Sequence, residues 1–352
     1  MMSLEELRRK IDRLDTRLIN LLNQRARIAL TVAKAKKTKG ETRYSPDREK
    51  QILNRLLRSN KGPLSSESVE AIYREIMSSS LAQYKPLVIA YFGPQASFTH
   101  QAALKRFGSQ VVYSPSNSIT EVFSEVEKGG ADYGVVPIEN SIEGAITHTL
   151  DMFVDSDLKI CAQIILEISH NLLGNCPKYK IKRIYSNPQV FAQCRNWLEK
   201  NLTSIEQIEV SSSARAAQIV RNRRSSACVA SLLAAKIYKL KVVAQNIEDN
   251  PHNVTRFLVI SRYEINPTGS DRTSLLFSIK DKIGALHDML LPFKKYRINL
   301  TKIESRPSKK KAWDYYFFID LVGHHKDSRV KKALVELEGK CKFLKILGSY
   351  PV

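Results

Sequence analysis

The sequence predicts a multidomain chain with an all-α N-terminal part, a central two-lobed α/β domain and a C-terminal α+β domain. Three observations lead to this fold class. Apolar residues recur at helical spacing through residues 3–83. Short apolar runs alternate with helix-like stretches across residues 86–265, and residues 272–352 have the order strand, helix, strand, strand, helix, strand. We therefore expect domains at residues 1–85, 86–265 and 272–352.

The chain is strongly basic, with a net charge of +21 that is unevenly distributed. Residues 1–85 hold 19 basic and 10 acidic side chains, and residues 271–352 hold 18 and 9, so the centre is nearly neutral. This pattern is compatible with a generally basic surface, with polyanionic small molecules or with a basic dimer that binds nucleic acid. The basic segments lack interleaved aromatic residues, so we expect no nucleic-acid partner.

Cysteine usage and the N-terminus favour a cytoplasmic protein without a membrane partner. The five cysteines form no C-x-x-C pair, which disfavours a disulfide framework or a zinc module. The N-terminus lacks an apolar signal-peptide core, and the chain has no apolar run of about 18 residues. The seven histidines have no ligand spacing, and no phosphate loop or dinucleotide glycine pattern occurs, so we expect no metal and no cofactor.

The first predicted element is one long helix over residues 3–38, with a heptad seam. Its apolar residues lie at alternating steps of three and four: Leu4, Leu7, Ile11, Leu14, Leu18, Leu21, Ile28, Val32 and Ala35. Such a helix is about 50 Å long, more than one small domain can cover, so we expect a homodimer, with a tetramer as the alternative. Helices over 46–59, capped by Ser45, and over 66–83 complete this part.

Charged residues interrupt this helical pattern in a way that suggests a binding site. Arg25 occupies the seam slot between Leu21 and Ile28, where an unpaired guanidinium is costly. Lys36 lies about three turns later on the same side, whereas Arg8 faces elsewhere and would serve another chain. With Arg48 and Glu49 at the start of the second helix, the pattern suits a small dicarboxylate. The alternative is that Arg25 specifies coiled-coil register.

The segments LEELRRKIDRLD, LLNQRARIALTVAKAK and PDREKQIL resemble the all-helical chorismate mutases. The resemblance implies an intertwined dimer whose cations bind the substrate carboxylates. Its implied site residues are Arg8 from the partner chain, Arg25, Lys36 at the ether oxygen, Arg48, Glu49 at the ring hydroxyl, Ser80 at the wall and Gln83. Gln83 is one residue early, since Tyr84 occupies the aligned position, and Ser45 stands where some members carry an acid. The rearrangement needs no nucleophile, only a held conformer and cations at the developing charge.

The central part is predicted to form two lobes of mainly parallel sheet covered by helices, with a cleft between them. Predicted strands include LVIAYFG, VVYS, YGVVPI, ICAQIIL, RIYS, IEQIEV, ACVAS and RFLVIS. Predicted helices cover about 99–107, 118–128, 142–154 and 188–200, and another begins at 213. Polar segments end or interrupt the strands, where ligand sites of α/β folds gather. Each alone reads as turn capping, but four together indicate a site.

These polar segments, GPQASFTHQAA, VPIENSIEGAITHTLD, SNPQVFAQC and NVTRF, resemble prephenate dehydratase across residues 87–262. The resemblance implies that Thr255 assists departure of the ring hydroxyl as general acid or hydrogen-bond donor. Arg256 would support the motif or bind a carboxylate, and Phe257 would pack against it. The residues implied to line the cleft are Glu139, Asn140, Ser186 and Gln193, with Thr99 nearby. Ala96-Ser97 replaces the usual Gly-Thr.

The last part matches the ferredoxin-like βαββαβ layout and resembles the ACT regulatory domain of these dehydratases. Two segments match its phenylalanine-site motifs: Gly284, Ala285 and Leu286, and Glu304, Ser305, Arg306 and Pro307. Ile283 replaces the usual proline, and Lys309–Lys311 reads as a solvated hairpin tip.

Together the resemblances imply an enzyme that converts chorismate to prephenate and prephenate to phenylpyruvate, with L-phenylalanine as feedback inhibitor. The alternatives are that only the dehydratase activity survives, or that the scaffold serves as a non-catalytic amino-acid sensor.

Overall fold

The computed structural model describes residues 2–38, 44–83, 86–203, 205–279, 283–308 and 315–352, without the side chain of Lys37. Tyr84 and Lys309–Lys311, which entered the sequence predictions, lie outside the described residues. The chain divides into two compact units. The first comprises Met1–Leu87 with Phe107–Val112, and the second comprises Val88–Arg106 with Tyr113–Val352.

The first unit is helical, as predicted. It contains α1 (Leu4–Thr38), α2 (Pro46–Ser59) and α3 (Ser66–Ala82). The Ser65 hydroxyl caps α3 by accepting the Ser68 amide at 3.2 Å. Ser45 precedes α2 but does not cap it, because its hydroxyl donates to the Asp47 carboxylate instead. Residues Phe107–Val112 also belong to this unit, and the Ser109 hydroxyl donates to Glu75 of α3 at 2.6 Å.

The predicted heptad seam of α1 is exposed to solvent within the chain. Eight of its apolar side chains are 46–67% exposed: Leu4, Leu7, Ile11, Leu14, Leu18, Leu21, Ile28 and Val32. The half-buried apolar residues of α1 lie on another side of the helix, which packs on α3, and include Leu22, Ala26, Ala29, Leu30 and Ala33. Among the helices of the described residues, none has the length and apolar content needed to span a membrane.

The N-terminal part of the second unit consists of two lobes, and the chain passes from the first lobe to the second and back. In chain order their elements are β1 (Val88–Phe92), α4 (Phe98–Phe107), β2 (Val112–Ser116), α5 (Ile119–Glu127), β3 (Tyr133–Asn140), β4 (Gly144–Ala145), α6 (Thr147–Asp155), β5 (Lys159–Glu167), β6 (Asn171–Gly174), a 3₁₀ turn (Lys178–Lys180), β7 (Arg183–Ser186), α7 (Pro188–Gln193), α8 (Arg195–Asn201), β8 (Glu206–Glu209), α9 (Ser213–Val220), β9 (Ser226–Ala230), α10 (Leu232–Tyr238), β10 (Lys241–Ala244) and β11 (Val254–Ser261).

The prediction of mainly parallel sheets was wrong, because both lobes have mixed sheets. The first lobe has the order β2-β1-β3-β11-β5, with β4 on β3, and the second has β10-β6-β9-β7-β8. Strand β11 is antiparallel to β3 and to β5, and β6 is antiparallel to β9 and to β10. The chain crosses between lobes twice, from β5 to β6 and from β10 to β11, so the returning strand enters the first sheet in the opposite direction.

Two predicted helices also differ from the structure. The helix expected from residue 142 begins only at Thr147, because Asn140 Oδ1 accepts the Ile142 and Glu143 amides and holds a turn there. The helix expected over 188–200 is interrupted at Cys194, where α7 ends and α8 begins. The sequence did not predict β6, α10 or β10.

The C-terminal domain confirms the predicted element order. It comprises β12 (Asp271–Ser278), α11 (Ala285–Lys295), β13 (Leu300–Pro307), β14 (Tyr315–Val322), α12 (Ser328–Glu338) and β15 (Phe343–Pro351). The antiparallel sheet has the order β13-β14-β12-β15. One face holds the domain core, where Phe277 packs with Phe293 and Leu337 of the helices. Strand β15 packs against β5, so the domain's sheet also contacts the first lobe.

Candidate active sites

The centre of the dehydratase-like motif is a hydrogen-bonded pair on adjacent strands. Thr255 of β11 lies opposite Asn140 of β3 in the sheet register. Asn140 Nδ2 donates to Thr255 Oγ1 at 2.8 Å and to Asn253 Oδ1 at 2.7 Å. Thr255 is buried to 8% exposure, so its hydroxyl is held in a largely dry position.

The orientation of the Asn140 amide follows from its backbone partners. Its Oδ1 accepts the amides of Ile142 at 2.9 Å and Glu143 at 3.1 Å, and only an oxygen can accept them. Its Nδ2 must therefore be the group that faces Thr255 Oγ1. Because Thr255 accepts this hydrogen bond, its own hydroxyl proton is available to another acceptor. The geometry thus prepares Thr255 as a donor.

A second amide joins the two lobes across the cleft. Gln193, the last residue of α7 in the second lobe, accepts Asn253 Nδ2 at 3.2 Å through its Oε1. Its Nε2 donates to Glu143 of the first lobe at 2.9 Å, and Gln189 donates to the other Glu143 oxygen at 2.8 Å. Sequence reasoning missed Glu143 and Asn253 as site residues, although both lie in segments it had singled out.

His170 was also missed, because a single histidine without ligand spacing carries no local signal. It is 1% exposed at the crossing from β5 to β6, and its Nε2 lies 2.7 Å from Gln193 Oε1. The Glu143 carboxylate only accepts, which fixes Gln193 Nε2 toward it and leaves Oε1 for His170. The proton of His170 therefore lies on Nε2. Burial lowers the pKa of His170 despite the opposing Gln193 and Glu248, so the ring is neutral.

Two further predicted cleft residues are buried, but the structure does not bring them into this hydrogen-bonded chain. The Ser186 hydroxyl, at the end of β7, donates to the Val229 carbonyl at 2.8 Å. Thr99 is buried in the first turn of α4. Phe257, which the motif implies packs beside it, is a buried core residue of β11.

Glu139 and Arg256 point away from Thr255, since neighbouring residues of a strand face opposite sides. Arg256 Nη1 lies 2.9 Å from Glu139 Oε1 and 2.7 Å from Asp320 Oδ2 of β14. Its Nη2 donates to the Tyr350 hydroxyl at 2.7 Å, and Lys302 of β13 pairs with Glu139. Burial alone would raise the pKa of Glu139, but Lys302 and Arg256 hold it below its ordinary value. These two predicted site residues thus face the C-terminal domain.

The Ala96 departure occurs where the backbone favours glycine. Ala96 has a φ of 72°, in the left-handed region, at a cost of roughly 1–2 kcal/mol for a residue with a Cβ. Its amide donates to His100 Nδ1 at 3.1 Å, and its carbonyl accepts Ser231 Oγ of the second lobe at 3.3 Å. Ser97 Oγ caps the His100 amide at 3.2 Å, so the substituted hydroxyl starts α4.

In the helical unit, one pair of predicted mutase residues is in direct contact. Arg25 Nη1 of α1 donates to Ser80 Oγ of α3 at 2.9 Å, and both side chains are half-buried. Glu49 is 8% exposed and accepts the Tyr44 hydroxyl at 2.7 Å. Tyr44 is therefore a partner that the sequence did not indicate.

The remaining predicted mutase residues are spread over the unit. Lys36 is half-buried near the end of α1. Arg48 is exposed and donates to Gln51 at 3.2 Å. Arg8 is exposed near the start of α1, and Gln83 is exposed at the C-cap of α3.

The two effector-like motifs lie at the start of α11 and on β13. Gly284 has a φ of 75° and is the N-cap of α11, and Ala285 behind it is buried. Arg306 Nη2 of β13 lies 3.4 Å from Asp151 of α6. In the part of the chain that the structure describes, no group of three or more His, Cys, Asp or Glu side chains could hold a metal ion.

Comparison with protein families gives three successive matches. The models are chorismate mutase type II over residues 7–85, prephenate dehydratase over 89–265 and the ACT domain over 273–339. A bifunctional chorismate mutase/prephenate dehydratase of Aquifex aeolicus is 49% identical, covering 100% of this chain and 98% of the relative. A relative of the same name from Pseudomonas aeruginosa is 48% identical, covering 99% and 97%.

Among solved structures, prephenate dehydratase of Arthrobacter aurescens in complex with L-Phe superposes with a TM-score of 0.70. It is 33% identical and covers 76% of this chain and 90% of its own. The full-length relatives and the three family matches agree with the order of the folded parts. The chain therefore belongs to the bifunctional chorismate mutase/prephenate dehydratase family.

Proposed function

We propose that this enzyme rearranges chorismate to prephenate in its helical unit and converts prephenate to phenylpyruvate at the Asn140–Thr255 pair. We further propose that phenylalanine, bound to the ACT domain, inhibits the second step. The observation that carries the dehydratase assignment is the oriented hydrogen bond from Asn140 Nδ2 to Thr255 Oγ1.

The dehydration needs one well-placed donor. When the ring hydroxyl leaves, the ring carboxylate departs as carbon dioxide and its bonding electrons enter the ring. The leaving oxygen takes the proton of the Thr255 hydroxyl and departs as water, and aromatisation drives the step. Thr255 supplies the hydrogen bond to the leaving oxygen because its own oxygen is already occupied by Asn140. Solvent returns a proton to the Thr255 oxygen after the products leave.

The rest of the proposed cleft holds the substrate around this donor. Gln193 presents its amide at the cleft and Asn140 orients Thr255. Thr99 and Ser186 line the walls, and Phe257 packs in the core beneath β11. Burial of Thr255 supports a site from which water is largely excluded. Glu139 and Arg256 support the motif from the opposite face of the sheet.

The proposed mutase site combines residues of two chains. Arg25, Lys36, Arg48, Glu49, Ser80 and Gln83 would come from one subunit and Arg8 from the other. The exposed apolar row of α1 supports a homodimer, because burying each such side chain contributes about 1.5–3 kcal/mol. Sedimentation analysis of the purified protein distinguishes a dimer from a tetramer.

The proposed phenylalanine site uses the motifs of α11 and β13. The relative from Arthrobacter aurescens, which has L-Phe bound, supports this assignment. In this chain Gly284 starts α11 in the left-handed conformation, and the amides of a helix start suit a carboxylate. Ala285, Leu286 and the β13 residues Glu304, Ser305, Arg306 and Pro307 would complete the site. All five cysteines are free thiols, which agrees with the reducing cytoplasm as the compartment.

The test supplies chorismate and prephenate separately to the full-length protein and follows chorismate loss and phenylpyruvate formation. We expect turnover of both, and phenylalanine should reduce only phenylpyruvate formation from prephenate. Turnover of neither substrate refutes the enzyme assignment and leaves the sensor reading if phenylalanine still binds. A dehydration rate unaffected by saturating phenylalanine refutes the regulatory assignment.

A further inference from the structure

A buried cluster of charges joins the ACT sheet to the dehydratase sheet. We call it the interface ion cluster and define it as Glu139, Arg256, Lys302 and Asp320. Arg256 bridges Glu139 at 2.9 Å and Asp320 at 2.7 Å, and Lys302 pairs with Glu139. Lys302, Arg256 and Asp320 have side chains no more than 15% exposed, and the Glu139 side chain is 31% exposed. Two positive and two negative groups are thus balanced in a poorly solvated position, where each depends on its partners.

The interface ion cluster lies directly behind the proposed proton donor. Glu139 precedes Asn140 on β3, and Arg256 follows Thr255 on β11. In the register of the two strands, Glu139 is opposite Arg256 and Asn140 is opposite Thr255. The ion pair and the catalytic hydrogen bond are therefore consecutive rungs of one ladder, on opposite faces of the sheet. A shift of the first rung moves the backbone of the second.

The same cluster is connected to the proposed effector motif through one strand. Lys302 lies on β13, two residues before Glu304, and side chains two apart on a strand share a face. Lys302, Glu304 and Arg306 are half-buried, whereas the residues that alternate with them, Thr301, Ile303, Ser305 and Pro307, are exposed. Arg306 reaches Asp151 of the first lobe at 3.4 Å. The face of β13 that carries Lys302 and Arg306 thus contacts the first dehydratase lobe at both ends of the proposed effector motif.

We propose that Lys302 is a positioning residue that couples the effector strand to the dehydratase site through Glu139; this inference rests on the proposed phenylalanine regulation. When phenylalanine binds and displaces β13, Lys302 moves relative to Glu139. The Glu139–Arg256 rung then changes its alignment, and Asn140 no longer orients Thr255. Misplacement of a reacting group by about 1 Å can cost roughly 100-fold in rate, so a small movement is sufficient.

The packing around the cluster gives such a movement room. A cavity of about 20 Å³ lies between the ACT sheet and the first lobe, lined by Arg256, Lys302 and Asp320 and by apolar side chains of both domains. A volume of this size is near that of one water molecule. A close-packed apolar interface would resist rearrangement, whereas a neutralised charge cluster beside a cavity can take up alternative pairings.

The experiment compares Lys302→Met with Lys345→Met in the full-length protein. Both substitutions remove an ammonium group from the ACT sheet and replace lysine with an uncharged side chain of similar length. Lys345 donates to the Ser156 carbonyl at 2.7 Å at the end of α6, and it lies outside the interface ion cluster. For each protein, calorimetry gives the phenylalanine Kd, and dehydratase kcat/KM is measured with and without saturating phenylalanine. Chorismate mutase activity reports that the preparation is intact.

In the wild-type enzyme, saturating phenylalanine should lower dehydratase kcat/KM by roughly 5–150-fold, the usual range of allosteric coupling. Lys302→Met should bind phenylalanine within about 3-fold of the wild-type Kd, yet be inhibited by less than about 2-fold. Lys345→Met should behave as the wild type. Glu139→Gln, which removes the other charge of the pair, should also uncouple inhibition. Lys302→Arg, which keeps the positive charge, should remain inhibited by phenylalanine.

Three results would overturn the proposal. Lys302→Met could be inhibited by the wild-type factor, it could lose phenylalanine binding, or Lys345→Met could be uncoupled to the same extent. The first leaves no role for the ion pair, the second makes Lys302 part of the effector site, and the third indicates general loosening of the interface. A wild-type enzyme that does not bind phenylalanine at all instead refutes the proposed regulation itself.

Discussion

Replacement of Thr255 by valine isolates the hydroxyl that the structure prepares as a donor. Valine keeps the branched shape on β11 and removes one 2.8 Å hydrogen bond from Asn140, whose Nδ2 retains Asn253 as a partner. Because one buried donor loses an acceptor, we expect the free energy of unfolding to fall by about 1–2 kcal/mol. The fold should therefore survive.

The chemical effect should be far larger than the effect on folding. Removal of one hydrogen-bond donor aimed at developing charge costs about 10²–10³ in kcat. The donor acts mainly in the transition state, so KM should change little. Phenylpyruvate formation from prephenate measures the loss, and chorismate consumption by the same preparation serves as an internal control. Thr255→Ser, which keeps the hydroxyl, should retain most of the activity.

Two outcomes would contradict this reasoning. A Thr255→Val enzyme with kcat within about 5-fold of the wild type would remove the hydroxyl from the mechanism. An equal loss of mutase and dehydratase activity would mean that the two reactions are not divided between the helical unit and the α/β lobes.

Three further substitutions test the orientation of the site, the domain contact and a buried histidine. Asn140→Asp replaces the donor with an acceptor-only group that captures the neighbouring threonine hydroxyl, so kcat should fall about 10²-fold or more; wild-type dehydration would refute the assigned polarity. Gly348→Ala would place a Cβ 2.2 Å from the Ile160 carbonyl oxygen, and we expect a loss of about 3 kcal/mol or more in denaturant unfolding, against less than about 0.5 kcal/mol for the open Gly339→Ala. Burial lowers the pKa of His100 to about 4, so the unfolded state binds a proton that the folded state excludes between pH 6.5 and 4. The free energy of unfolding should therefore fall by about 1–3 kcal/mol as the pH drops through that window, whereas His100→Asn, which keeps an acceptor without titrating, should lack this component; identical pH profiles would contradict the assignment.

Local periodicity was sufficient for the elements that bury one face against near neighbours. The three N-terminal helices and the strand–helix order of the ACT domain follow from apolar spacing. The mixed sheets of the lobes could not be predicted in this way. The direction of β11 depends on where the chain re-enters the first sheet after it has built the second lobe, and no local pattern records that.

The residues of the candidate site also fall into those that the sequence indicated and those that only the structure revealed. The segments that contain Asn140, Gln193 and Thr255 were visible because polar residues interrupt apolar strands there. Glu143 and His170 were not, because their contribution depends on an amide from the other lobe. An exposed glutamate and a lone histidine have no distinctive spacing. Each finds its partner, Gln193, only when the two lobes are folded side by side.

The sequence by itself determined which three families the chain resembles, in what order, and which residue types each reaction requires. The tertiary structure alone decided which face each of those residues serves. Thr255 and Arg256 are neighbours in one five-residue motif, yet the first faces Asn140 and the second faces Asp320 and Tyr350 of the ACT sheet. The physical reason is that a strand alternates its side chains between two surfaces, and the function of each surface depends on what packs against it.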